Sequence, residues 1–156
     1  PAGTMPEGRI QFVQHRTPEL VWQRPWLDHP NRAFGLAAVV ISVTDPAAAA
    51  ERYSRYLGLP AEGEGAVRRI KTARGDFVLI PPDMAASRLG VEPPVTPWIA
   101  GYVLDCADTT AACSRIELAG IATCDLGGGR FAVTAPPALG GVIVFGPVGR
   151  ALPGFA

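Results

Sequence analysis

The apolar positions of this chain repeat. Leu36-Ala-Ala-Val-Val-Ile-Ser-Val-Thr-Asp45 and Ile99-Ala-Gly-Tyr-Val-Leu-Asp-Cys-Ala-Asp108 each run from an apolar stretch into an aspartate, 63 residues apart. The same offset sets Ala49, Tyr53 and Tyr56 opposite Ala112, Ile116 and Ala119, at i, i+4 and i+7 along one helical face. Asp45 and Asp108 stand where a helix N-cap belongs, because a carboxylate accepts from the free amides of a first turn. Pro46 suits the first helical position, and glycine, Gly58 and Gly120, predicts where each helix stops.

Past each helix come a short segment, residues 59–62 and 121–125, and two β-rich runs, 66–73 with 76–81 and 130–135 with 141–147. Arg74-Gly75 and Pro136-Pro137-Ala138-Leu139-Gly140 carry the residues that turns require. The pattern predicts an α+β chain of two tandem βαβββ modules, residues 36–82 and 99–147. Residues 39–43, 77–80 and 142–145 are apolar at successive positions, which predicts a sheet covered on both faces. Each unit's helix covers one face; a neighbouring module, a partner chain or a bound apolar ligand must cover the other.

A proline-rich connector, residues 83–98, joins the modules and predicts a short helix over 84–89. The arm, residues 1–35, has no counterpart in the repeat. Its residues 8–14 predict a strand, Thr17-Pro18-Glu19 a cap opening one or two helical turns, and 27–31 a turn. Because the chain starts at Pro1 without methionine, the arm reads as the tail of an upstream module. Residues 148–156 form a C-terminal tail.

Charge narrows the partners. Lys+Arg and Asp+Glu number 14 each, which leaves no basic footprint for nucleic acid. Cys106, Cys113 and Cys124 form neither a C-x-x-C pair nor an even framework, so packing thiols in a cytoplasmic protein are expected. No apolar stretch nears the roughly 20 residues that cross a bilayer.

The strand into Asp45, the alanine-rich helix and the Leu57-Gly58-Leu59 ending resemble the module opening of the vicinal oxygen chelate superfamily, which includes glyoxalase I, bleomycin-resistance proteins and extradiol dioxygenases. His15-Arg-Thr-Pro-Glu-Leu-Val-Trp22 with Trp26-Leu-Asp-His-Pro-Asn31 is similar to a connector in bacterial glyoxalase-like domain proteins, where it follows an earlier domain of the same kind. The resemblance implies a curved, cup-shaped mixed sheet with helices on its outer face. It also implies a divalent metal at the floor of the cup, held by a histidine early in a first strand and a carboxylate or histidine in a last strand. The matching first-strand positions fall near Ala38 and Gly101, and the last strands, read as 77–80 and 141–145, hold no Asp, Glu or His. Alanine, glycine and valine side chains have no lone pairs to offer. No metal is therefore expected in this chain except with residues from outside it; Gln11 falls roughly where an upstream module would carry its carboxylate.

Candidate site residues follow from alternation. Ala38, Val40 and Ser42 share the face away from the helix with Gly101, Val103 and Asp105, of which Ser42 and Asp105 are polar. Arg68, Arg69 and Lys71 alternate along one strand; Arg69 and Lys71 entering the cup would attract an anionic substrate, and a solvated sheet edge is the alternative. Trp22 and Trp26 could stack a flat ligand or seal the arm onto a neighbouring surface. His15, Glu19 and His29 have metal-ligand residue types, but Pro18 starts the helix after His15, and turn formation and capping compete. Gly127-Gly128-Gly129 reads as a hairpin turn, and neither a Gly-x-Ser-x-Gly elbow nor a His-Glu-x-x-His is present.

Three functions fit. The first is a glyoxalase-like protein without the usual metal ligands, binding a small apolar or aromatic molecule or serving as a structural half. The second is a metal-dependent lyase or extradiol-type dioxygenase whose ligands come from another domain or chain. The third is a module that forms a homodimer.

Overall fold

The computed structural model describes residues 5–8, 10–27, 29–134 and 140–149. Two short helices, α1 (Pro18–Val21) and α2 (Arg24–Leu27), precede a single eight-stranded sheet. At its centre β1 (Ala33–Ser42) runs antiparallel to β5 (Trp98–Cys106). On the β1 side follow β4 (Gly75–Ile80), parallel to it, then β3 (Arg68–Thr72) and β2 (Ala61–Glu62). On the β5 side follow β8 (Val142–Pro147), also parallel, then β7 (Arg130–Thr134) and β6 (Cys124–Gly127).

The two halves are related by a pseudo-two-fold through the central pair. Val39 faces Tyr102, and the pairs Ala38–Val103 and Val40–Gly101 exchange under the 63-residue shift. The ladder also slips at matching places, passing over Ala37 between Leu36 and Ala38 and over Ala100 between Ile99 and Gly101. A bulge re-aims the side chains beside it, so its occurrence at both equivalent sites supports the repeat independently of hydrophobic pattern.

Helix α3 (Pro46–Leu57) follows β1, α4 (Pro82–Leu89) lies in the connector, and α5 (Thr109–Leu118) follows β5. Asp45 Oδ1 accepts from Ala48 N at 3.0 Å and Asp108 Oδ1 from Ala111 N at 2.9 Å, so both predicted N-caps are formed. At Gly58 the chain turns left-handed with φ 68°, which glycine adopts without a Cβ clash. On the outer face α3 packs Ala49, Ala50 and Tyr53 onto Ile41, Val43, Ile70 and Leu79. Helix α5 sets Ala112 over Cys106 and the stacked rings of Phe131 and Phe145, 4.8 Å apart.

The inner face holds the third cluster. Val40, Val78, Ile80, Val142 and Val144 pack with Ala85 and Leu89 of α4 and with Met84. The predicted connector helix thus fills one end of the concave side. Ser42 is fully buried there, and its Oγ has no hydrogen-bond partner among the described residues. A stranded hydroxyl costs about 1–3 kcal/mol, so Ser42→Ala is expected to raise stability by about 1 kcal/mol in urea unfolding; a loss of stability would contradict this environment.

The arm departs from expectation. Residues 10–14 form no strand, so Gln11 stands on no ladder. The segment lies along α3 instead. Met5 and Ile10 join the cluster under that helix, Phe12 stacks on Tyr56 at 5.2 Å, Tyr56 Oη donates to the Ile10 carbonyl at 3.0 Å, and Glu7 pairs with Arg52. The apolar side chains of the arm find this helical surface, which a sheet edge would not have offered them. The turn predicted at residues 136–140 falls, up to Leu139, outside the described residues. Among the described residues no helix is long and apolar enough to cross a membrane.

Candidate ligand-binding cup

Strand alternation turns Ala38 and Val103 of the central pair to the concave side, and β3 and β4 add Arg69, Lys71, Asp76 and Val78. Where α4 leaves this side open lies a cavity of about 440 Å³. Ala38, Val78 and Val103 make an apolar floor, and Arg69, Lys71, Asp76 and Asp105 a polar wall. Three of the predicted site residues, Arg69, Lys71 and Asp105, therefore come together.

The charges of this wall are already largely answered. Arg69 Nε lies 3.8 Å from Asp76 Oδ2, and Lys71 Nζ lies 2.8 Å from Glu62 Oε2 on the exposed strand β2. Asp105 differs: its carboxylate makes no hydrogen bond or ion pair with the described residues, and the residue is half-buried. Gly35 opposite leaves it room, since a Cβ there would stand 3.6 Å from Asp105 Oδ2. The cup thus offers a hydrogen-bond acceptor more readily than a trap for an anion.

The donor set does not fit the metal that the resemblance implies. Ala38 presents a methyl group. Gly101 admits no side chain, because a Cβ would fall 2.6 Å from the Val142 carbonyl oxygen and 2.8 Å from Val142 Cγ1. One sequence expectation is corrected: the last strand of the first module, read for ligands as 77–80, starts at Gly75 as β4, so Asp76, already within the β-rich run 76–81, belongs to that strand and faces Ala38 in register. The tight turn pairing Thr72 with Gly75 carries the ladder that far. Asp76, however, is engaged by Arg69, and the described residues contain no group of three or more His, Cys, Asp and Glu placed to hold an ion.

The remaining candidates lie elsewhere. Ser42 is fully buried and does not line the cavity, and Arg68 Nη1 donates to the carbonyls of Gly65 and Val67. Trp22 lies under the Arg74 guanidinium, 4.5 Å from its ring centroid, with His15 edge-on at 6.3 Å; Trp26 is exposed. Trp22 is thereby tied to the β3–β4 turn rather than to the cavity. His29 Nδ1 lies 2.6 Å from Asn31 Oδ1 within the turn before β1, and Glu19 is exposed. Cys106 is buried, and that burial is the main cause that pushes its thiol up; Cys113 is half-buried and Cys124 exposed. Sequence reasoning placed Asp76 in a β-rich run but left it out of the cup, and it missed the plugging of the cup by α4. Alternation counted back from Val78 would have found Asp76.

No protein-family model matches the sequence, and no curated protein matches it. Solved structures do. Methylmalonyl-CoA epimerase from Mycobacterium tuberculosis is similar over 73% of this chain and 87% of its own, at 22% identity and a TM-score of 0.55. A xylose isomerase-like TIM barrel/4-hydroxyphenylpyruvate dioxygenase fusion protein is similar over 86% of this chain and 23% of its own, at 19% identity and a TM-score of 0.56. The Mn(II)-bound glyoxalase from Novosphingobium aromaticivorans is similar over 74% of this chain and 38% of its own, at 10% identity and a TM-score of 0.51. At such identities the likeness is one of fold.

Proposed function

We infer that this chain, which has the vicinal oxygen chelate fold, is a small-molecule-binding protein whose cup takes its ligand without a metal of its own. The observation that carries the reading is an unpaired carboxylate, Asp105, beside an apolar floor of Ala38, Val78 and Val103 in one cavity. The ligand has an apolar or aromatic body that rests on Ala38, Val78 and Val103 and a donor group directed at Asp105. A cation is favoured over an anion, because Arg69 and Lys71 already face carboxylates. The cavity is of a size common among small-molecule sites, which run from about 300 to 1,000 Å³.

Benzylammonium and benzoate, alike in ring and opposite in charge, test this in an NMR titration of the full chain. Benzylammonium is expected to shift the amides of Ala38, Val103 and Asp105 saturably, and Asp105→Asn to weaken it about tenfold. Benzoate binding there as tightly, or no effect of Asp105→Asn, would sink the reading.

A second reading, a metal-dependent lyase or extradiol-type dioxygenase completed by another domain or chain, draws support from the presence of Asp76 and Asp105 in one cavity. Elemental analysis separates the two. A stoichiometric divalent ion lost on Asp76→Asn or Asp105→Asn favours the second.

A further inference from the structure

Between the turn that leads into β1 and helix α5 lies a cavity of about 380 Å³, apart from the cup. Its described lining is His29, Pro30 and Arg32 from the turn and Ala111 and Arg115 from the helix. Two arginines and a histidine therefore share one hollow with no carboxylate in that lining, in a chain whose basic and acidic residues balance at 14 each.

The cup answers its cations with Asp76 and Glu62; here that answer is missing. Neither Arg32 nor Arg115 makes an ion pair or a side-chain hydrogen bond with a described residue. Asp108, at the start of α5, uses Oδ1 to cap the helix at Ala111 N and pairs with neither arginine. His29 directs Nδ1 to Asn31 Oδ1 at 2.6 Å, which leaves Nε2 as the nitrogen without a partner among the described residues.

Arg32 is also held where arginine is a poor choice. Its φ is 62°, in the left-handed region that a Cβ opposes and that glycine and asparagine tolerate. The conformation is fixed on both sides, since Arg32 N donates to the His29 carbonyl at 2.9 Å and the Arg32 carbonyl accepts from Ala107 N at 3.1 Å. A strained backbone position filled by a long cationic side chain that the fold leaves unpaired points to a use outside the fold.

We propose that this cavity is an anion site, separate from the cup, for a phosphate group, free or carried by a small ester, with Arg32 and Arg115 as its charged contacts and His29 Nε2 as a third. A carboxylate has two oxygens, which a single guanidinium satisfies as a bidentate pair. A phosphate group offers a further oxygen and about two negative charges near neutral pH, so it engages both arginines at once. The cavity is within the range of small-molecule sites, about 300 to 1,000 Å³, and Pro30 and Ala111 give an ester's organic part an apolar surface.

Phenyl phosphate, inorganic phosphate and benzoate, titrated into the full chain at fixed ionic strength and followed by NMR, test this. Phenyl phosphate is expected to shift the amides of Arg32, Ala33 and Ala111 saturably and to bind about tenfold more tightly than benzoate. Inorganic phosphate at the same amides with equal affinity identifies the free ion as the guest, and weaker binding identifies an ester. Arg32→Asn and Arg115→Gln are each expected to weaken phenyl phosphate about tenfold. Arg55→Gln, which removes an exposed arginine of α3 outside this cavity, should leave its affinity unchanged. Because asparagine suits the left-handed backbone, Arg32→Asn is expected to unfold at a urea concentration no lower than the unmodified chain. Benzoate binding as tightly as phenyl phosphate, affinity that survives both arginine substitutions or falls equally with Arg55→Gln, a lowered urea midpoint for Arg32→Asn, or shifts confined to Ala38 and Asp105 in the cup would each overturn the proposal.

Discussion

Gly101→His, which places a metal-binding side chain near where the resemblance implies one, is expected to lower stability by about 3 kcal/mol and to gain no stoichiometric metal. The conflict begins at the Cβ, so Gly101→Ala should cost nearly as much. Its methyl group would meet the Val142 carbonyl oxygen at 2.6 Å, and Gly101 and Val142 are register partners in the ladder, which leaves neither backbone room to yield. Urea unfolding of the alanine variant checks this directly. A midpoint equal to that of the unmodified chain would show that the strands have more slack than their spacing indicates. Glycine at this position does more than omit a ligand: it permits a close strand pairing that a ligating residue would break.

Tyr53→Ala is expected to cost about 4 kcal/mol, within the range for truncating a buried aromatic ring. Tyr53 is 2% exposed, lies between α3 and the outer face of the sheet, and tilts against Phe77 at 5.2 Å between centroids. Burial, and after it the neighbouring Glu7, pushes its phenol up to about 12. Tyr53→Phe keeps the ring and should retain most of the stability, so the difference between the two variants isolates packing from the hydroxyl. A cost below about 1 kcal/mol for the alanine variant would mean that α3 does not depend on this contact.

Most of the fold was legible because its signals are local. Asp45 and Asp108 before alanine-rich helices, Gly58 at a left-handed turn and apolar runs at a fixed offset each act within a few residues, and together they specify two similar units. The arm was misread because residues 8–14 have strand composition but no strand to pair with, and the surface of α3 that accepts Ile10 and Phe12 comes from distant sequence. The candidate cup was half legible. Alternation put Asp105, Arg69 and Lys71 on one face, yet could not show that Glu62 and Asp76 answer the two cations, because those partners sit on neighbouring strands. Ser42 obeys the same alternation and is nonetheless fully buried, outside the cavity that Asp105 lines. Asp76 opens the β-rich run yet was left out of the candidate ligands, which were sought only on the unbroken apolar stretch 77–80 beyond the turn at Gly75.

Helix α4 has a further consequence. A strictly duplicated unit would offer a trough with two interchangeable ends, but these eight residues stop one of them. What remains open is walled by β1, β3, β4 and β5 and by Gly149, with charged side chains from the first half and Asp105 from the second, so the two halves of the duplication no longer offer a guest equal ground.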